Sequence, residues 1–268
     1  MSALLLDAIP SLWRASDLGH SAAPVCPSGF AALDAELPGG GWPCGQLTEV
    51  LQPEAGWREW RLLAPSLARL SQQGAVLLVG PPLVPHLPAL AWQGLALGSL
   101  IWVQASSPAE RLWAAEQALR CQALAALLVW LPPSRSQNLS PSLSQGLSQG
   151  LRRLQLAAQA GRQASPPCLW ALRPWAAQQQ ASPAPLRLGL RAGPADALEV
   201  QVLKRRGQPL ERSLLLPAAR PSPLRAGPAG APPHTPPHTP SQTVVAPSPN
   251  PFKPDRHVVD RALARPLG

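Results

Sequence analysis

Four short apolar runs, each separated from the next by room for a helix, constrain this chain more than any other feature. Ala75–Val79 reads AVLLV and is closed by Gly80-Pro81-Pro82. Leu100–Gln104, Ala125–Trp130 and Cys168–Leu172 follow, with Pro132-Pro133 closing the third. Runs as short and apolar as Ala75–Val79 and Ala125–Trp130 fit strands covered on both faces. Between them the periodicity changes. A helix is predicted near Pro88–Leu97, and Ser107-Pro108-Ala109-Glu110 is a capping box with proline at the first helical position, opening a helix to about Gln122. A polar loop over Ser134–Ser148 runs into a helix near Leu143–Ala160. Strand–helix alternation at this spacing implies right-handed crossovers and a mainly parallel sheet.

The flanking segments complete the plan. Gln46–Leu51 is predicted as the first central strand. The helix after it, Glu59 to Gln73, is apolar at Leu62, Leu63, Leu67 and Leu70, and Pro65 should kink it or delay its start. Beyond Pro174, Leu186–Arg191 alternates apolar and polar residues as a half-exposed strand would. Leu198–Lys204 and Arg212–Leu216 follow, with turns at Gly193-Pro194 and Gly207-Gln208-Pro209, which reads as an antiparallel hairpin extension. The predicted fold class is therefore α/β: a mainly parallel sheet flanked by helices over residues 25–216, with that extension at its end. Residues 1–24 form a lead-in whose Leu5, Ile9, Leu12 and Trp13 share a helical face interrupted by Pro10. From Pro217 to Pro254, 13 of 38 residues are proline, a composition that cannot build a core and reads as a disordered, extended linker. Residues 255–268 regain helical character. Val258, Val259, Ala262 and Leu263 group together against Arg256, Arg261 and other charges, the pattern of a short docking helix.

The stretch SGFAALDAELPGGGWPCGQLTEVLQPEAG, Ser28 to Gly56, carries the functional signal. Ser28-Gly29, Leu33-Asp34, Gly39-Gly40-Gly41, Gly45 and the strand Gln46–Leu51 resemble the opening of a RecA-type ATPase core. That pattern leads to a glycine-rich loop ending in Gly-Lys-Ser/Thr, whose N–H groups, lysine and hydroxyl hold a triphosphate and Mg²⁺. Here the corresponding residues are Gln52, Pro53, Glu54, Ala55, Gly56, Trp57 and Arg58. They include no lysine and no Ser/Thr hydroxyl, and Glu54 and Glu59 would repel a triphosphate. A RecA-like frame with an emptied loop resembles the ImuA family, the RecA/SulA-related accessory proteins of bacterial translesion synthesis. Leu62–Leu70, Lys204-Arg205-Arg206-Gly207 and His257–Leu263 support the likeness, which covers roughly residues 10–216 and the last dozen or so.

The resemblance implies where further ATPase groups should sit, and this chain lacks them. A catalytic acid is expected at the end of the second strand, where Val79-Gly80-Pro81-Pro82 stands. A Mg²⁺-binding aspartate is expected where Leu128–Leu131 places Trp130. The γ-phosphate sensor position keeps only Arg173. The reading is a non-enzyme without cofactor or metal. The family likeness implies a mutasome adaptor. Its implied partners are an ImuB-like Y-family protein and an error-prone DnaE-type polymerase, with RecA itself as a third candidate. The alternative is a SulA-like inhibitor of cell division in the same damage response. The terminal peptide Arg256, Val258, Val259, Arg261, Ala262 and Leu263 is the candidate partner-binding site.

Direct contact with DNA is expected to be weak or absent. The net charge of +9 on 268 residues divides into +4 in the tail and +5 elsewhere, which permits a nucleic-acid or acidic partner without demanding one. Lys204, Arg205 and Arg206 are the candidate contacts. Segments 132–142 and 174–185, which would match the DNA-gripping loops of RecA, carry one and no Arg/Lys, and Trp175 is the aromatic there that a base would stack on. His20 and His86 lack partners at metal-ligand spacing. Cys26, Cys44, Cys121 and Cys168 are dispersed without a C-x-x-C pair and read as buried reduced thiols. Met1–Leu6 has no basic flank and Asp7 interrupts it, unlike a signal peptide. No uncharged apolar run spans a bilayer, so a cytoplasmic location is expected.

Overall fold

Every residue of Leu47–Gln52 is buried, as a strand must be when neighbours cover both its edges and both its faces. The computed structural model of the chain describes residues 24–56, 58–131, 141–160 and 165–218. In chain order the strands and helices are β1 (Val25–Cys26), α1 (Ala31–Asp34), β2 (Trp42–Pro43), β3 (Leu47–Gln52), α2 (Arg58–Leu70), β4 (Ala75–Val79), α3 (Leu87–Trp92), β5 (Leu100–Val103), α4 (Pro108–Ala118), β6 (Leu124–Trp130), α5 (Pro141–Ala160), β7 (Cys168–Pro174), β8 (Leu186–Ala192), β9 (Leu198–Lys204) and β10 (Leu214–Leu216). The lead-in 1–23, the proline-rich segment beyond Ala218 and the terminal amphipathic stretch lie outside the described residues.

The eight-stranded sheet has the order β10-β9-β8-β3-β7-β6-β4-β5. From β8 to β5 every pairing is parallel, and β9 and β10 are added antiparallel. The fold is thus α/β, a mostly parallel sheet with an antiparallel end, flanked by helices. Strand side chains alternate between faces, so a run apolar throughout feeds two cores. Leu128 packs with Val50, Leu172, Leu188 and the α2 residues Leu62, Leu63 and Leu67. Its neighbours Leu127 and Val129 pack with Leu47 and Leu169, under Leu112 and Ala115 of α4 and Leu147, Leu151 and Leu154 of α5. The capping box of α4 forms as expected: Glu110 N–H donates to Ser107 Oγ at 3.2 Å, and Glu110 Oε2 accepts from the Ser106 and Ser107 N–H groups at 2.9 and 3.2 Å.

Several elements depart from the sequence expectation. Helix α2 starts at Arg58 and passes through Pro65 without a delayed start. The Ser28-Gly29 turn lies against that proline: Gly29 has φ +90°, and a Cβ there would stand 2.4 Å from Pro65 Cβ. One residue on, Ser66 Oγ accepts from Trp42 Nε1–H at 2.9 Å and donates within reach of Pro27 O and Ser28 O, at 3.0 and 3.2 Å. This tacks the β1–β2 ribbon, which periodicity gave no sign of, onto α2. Helix α3 has six residues, and His86 caps it by accepting from Ala89 N–H at 3.2 Å.

Strand β8 is buried from Leu186 to Leu190 instead of half exposed. Its polar residue Arg187 points at an acid. Glu49, with no exposed surface, accepts from Arg173 of β7 at 2.8 Å through Oε1 and from Arg187 of β8 at 2.6 Å through Oε2. Further guanidinium N–H groups reach the 3₁₀ turn Trp175–Gln179 and the residue after it. Arg187 donates to Ala177 O and Gln178 O, and Arg173 to Gln180 Oε1. A buried carboxylate is tolerable only when paired and hydrogen-bonded, and here three adjacent strands supply the set. Glu49→Gln leaves two buried guanidinium groups without their counter-charge. It is expected to lower stability by about 3–5 kcal/mol, read as a shift in the urea midpoint. An unchanged midpoint would contradict the role given to this triad.

Candidate functional site

In an open parallel sheet, ligands bind at the carboxyl ends of the strands where the chain switches direction across the sheet. That point here is the end of β3. From β3 the chain crosses to β4 on one side, while β8 lies on the other. The loop 53–57 between β3 and α2 is the position at which a RecA-type core would hold phosphate.

The chain's own side chains fill this place. Pro53, Glu54 and Ala55 are exposed, and Glu54 pairs with Arg58 one turn on at 3.9 Å. Trp57 lies outside the described residues. Gly56 takes φ +123°, a conformation open to glycine, and its N–H donates to Glu59 Oε1 at 2.7 Å. The same oxygen accepts from the Trp130 indole N–H at 2.9 Å. Glu59 is fully buried on the first turn of α2 and Trp130 is 3% exposed at the end of β6. Trp60 stacks obliquely on Trp130, with ring centroids 5.9 Å apart. A loop N–H that would face a phosphate oxygen therefore faces an internal carboxylate. The ring lies where the acid of a metal site is expected.

Arg111, from α4, closes the next strand ends. It donates to Trp130 O through Nη1 and to Ala105 O through Nε, both at 2.9 Å. Its guanidinium lies so close to Gly80, at the end of β4, that a Cβ there would meet Nε at 2.4 Å. Gln52 is buried beside the loop, and its amide makes no hydrogen bond to the described residues. Arg173, the polar residue left at the sensor position, turns into the sheet toward Glu49.

The candidate nucleic-acid residues are spread among structural duties. Arg205 donates to Glu36 O at 2.6 Å and to Glu36 Oε2 at 3.0 Å, and to Gln208 O at 2.6 Å. Arg212 joins it on Glu36, and hydrogen bonds from Arg212 first and Arg205 second hold that carboxyl below the usual range. Lys204 reaches Ser182 O at 3.0 Å, and Arg206 is exposed. Trp175 is half-buried, under Arg191 at 4.2 Å and against Gly189, where a Cβ would sit 2.6 Å from the ring. Segment 132–140 and the terminal peptide with Arg256, Val258, Val259, Arg261, Ala262 and Leu263 lie outside the described residues. The sequence reading missed Glu49 and Arg111. An acid alone in the middle of an apolar central strand was the available signal for the first.

Trp130→Phe removes one donor to a buried carboxylate and is expected to cost about 1–3 kcal/mol. Trp130→Asp also sets a second acid beside Glu59 and should cost at least as much, without creating turnover. Chemical denaturation followed by fluorescence reads both, and wild-type midpoints would sink the packing role. Compared with known proteins, the chain matches no model of a protein family and no curated protein. No described helix is long and apolar enough to cross a membrane.

Proposed function

We propose that this chain is a non-catalytic, RecA-like adaptor in DNA-damage-induced translesion synthesis. The observation that carries the proposal is the Gly56–Glu59–Trp130 contact. In this reading the loop where a RecA-type core would hold phosphate is held by the protein's own carboxylate, which an indole supports in turn, while the surrounding shell stays intact. Stabilising a transferring phosphoryl group takes a lysine, a metal ligand and a water-activating acid, and this site offers a glutamine, a tryptophan and a buried glutamate. A shell of this kind is suited to docking. Its partners in this reading are an ImuB-like Y-family protein and an error-prone DnaE-type polymerase, with RecA as a third. The RecA-like frame and the ImuA-like motifs support the assignment by analogy, since a fold hosts many functions. Residues 255–268 supply the binding peptide, and the proline-rich segment tethers it, raising its local concentration once the core has docked.

Two measurements test this. Calorimetric titration of the full chain with Mg·ATP is expected to give no saturable heat at micromolar nucleotide, and no phosphate release should follow. Binding that disappears on chelating Mg²⁺ would overturn the reading. Deleting residues 255–268 is expected to leave the melting temperature of the core unchanged. It should abolish co-purification with a Y-family partner and damage-induced mutagenesis. A lower melting temperature with all partners retained would make the tail structural. Division arrest on overexpression with mutagenesis untouched would favour the SulA-like alternative.

A further inference from the structure

Three of the four cysteines converge although they are far apart in sequence. Cys44 Sγ lies 3.6 Å from Cys168 Sγ across 124 residues. Their backbones are already matched: Cys44 and Cys168 form an isolated antiparallel bridge, and Gly45 N–H donates to Pro167 O at 2.9 Å. Residues facing each other in antiparallel pairing have Cα atoms about 4.5–5.5 Å apart, inside the roughly 4.4–6.8 Å that a disulfide spans. Side-chain rotation alone can bring the sulfurs together. Access is asymmetric. Cys168 is 1% exposed at the start of β7, whereas Cys44 is partly open to solvent on the turn into β3.

Proton affinity runs the same way. Hydrogen bonds to Cys26 and Cys44, together with burial, raise the Cys168 thiol well above its ordinary value. The bond with Cys168 lowers Cys44, and likewise lowers Cys26, against the burial that raises each. The more accessible sulfur is the better thiolate, and the buried one keeps its proton.

We propose that Cys44 and Cys168 form a peroxide-responsive thiol pair that closes to a disulfide between the turn before β3 and the start of β7. The Cys44 thiolate attacks a peroxide oxygen. A sulfur lone pair forms the S–O bond, the O–O bond breaks, and hydroxide leaves with that bond's electron pair, so that sulfur is oxidised by two electrons. Cys168 sulfur then attacks the sulfenic acid. The S–S bond forms, the S–O bond breaks, and the hydroxyl departs as water with the Cys168 proton. One peroxide oxidises two thiols and yields two waters, counting the proton lost by Cys44. Thiol reductants reverse the step.

The test uses the full reduced chain, exposed to stoichiometric hydrogen peroxide, then alkylated, digested and examined by mass spectrometry. A peptide pair joining Cys44 to Cys168 is expected. It should disappear with dithiothreitol and be missing in Cys44→Ser and in both Cys168→Ser and Cys168→Ala. It should persist in Cys26→Ala and Cys121→Ser. The oxidised wild type should melt roughly 10 °C above the reduced form, because the link closes a long loop in the unfolded chain. Recovery of alkylated Cys44 and Cys168 at a dose that oxidises the exposed Cys121 would overturn the proposal. So would a Cys26–Cys168 link in its place, or Cys44 running on to sulfinic acid without a cross-link.

Discussion

Glu49 carries a negative charge into the least hydrated part of the molecule, and the arrangement of the sheet answers to it. Its two oxygens face Arg173 on one neighbouring strand and Arg187 on the other. Those two strands pair in parallel with β3 along its two edges: β7 closes the crossover half of the sheet, and β8 begins the antiparallel half. A one-residue slip of β8 would turn Arg187 to the opposite face, among Val50, Leu62 and Leu63, and expose its charge to an apolar core. The triad therefore sets register where the two halves join. Well-packed apolar residues of the same volume give comparable stability in many cores. The use of charge here is best understood as specification of one pairing over its neighbours.

The same economy of internal contacts governs the crevice at the strand ends. Trp130, Glu59, Arg111 and Arg173 stand at or beside the strand ends, and each is turned to another part of the chain. Three of them interlock, because Trp130 is held on its ring nitrogen by Glu59 and on its carbonyl by Arg111. Replacing the Trp130 ring would leave Glu59 without its indole donor.

Much of the fold was legible in the sequence because its signals are local. The apolar runs at Ala75, Ala125 and Cys168, the capping box at Ser107 and the change of pattern after Pro174 each state their structure within a few residues. What was not legible depends on neighbours distant in the chain. Arg187 reads as the outer face of a half-exposed strand until Glu49 is placed beside it. Trp175 reads as an open stacking surface until Gly189 and Arg191 enclose it. Lys204-Arg205-Arg206 reads as a basic cluster, yet Arg205 is turned to Glu36, 169 residues away. The three thiols at Cys26, Cys44 and Cys168 look scattered because parallel crossovers, which bring remote segments side by side, erase sequence spacing as a guide.

The position of Glu59 has a consequence for any anion that approaches the loop. The carboxylate is carried on the first turn of the helix that the loop leads into, so it meets the Gly56 N–H with no translational entropy left to lose. Groups fixed in this way behave as though present at concentrations no solute reaches in a cell. A phosphate or nucleotide from solution competes with that effective molarity, and also has to strip Trp130 of its hydrogen-bond acceptor. The loop is in this sense permanently liganded by a group of its own chain.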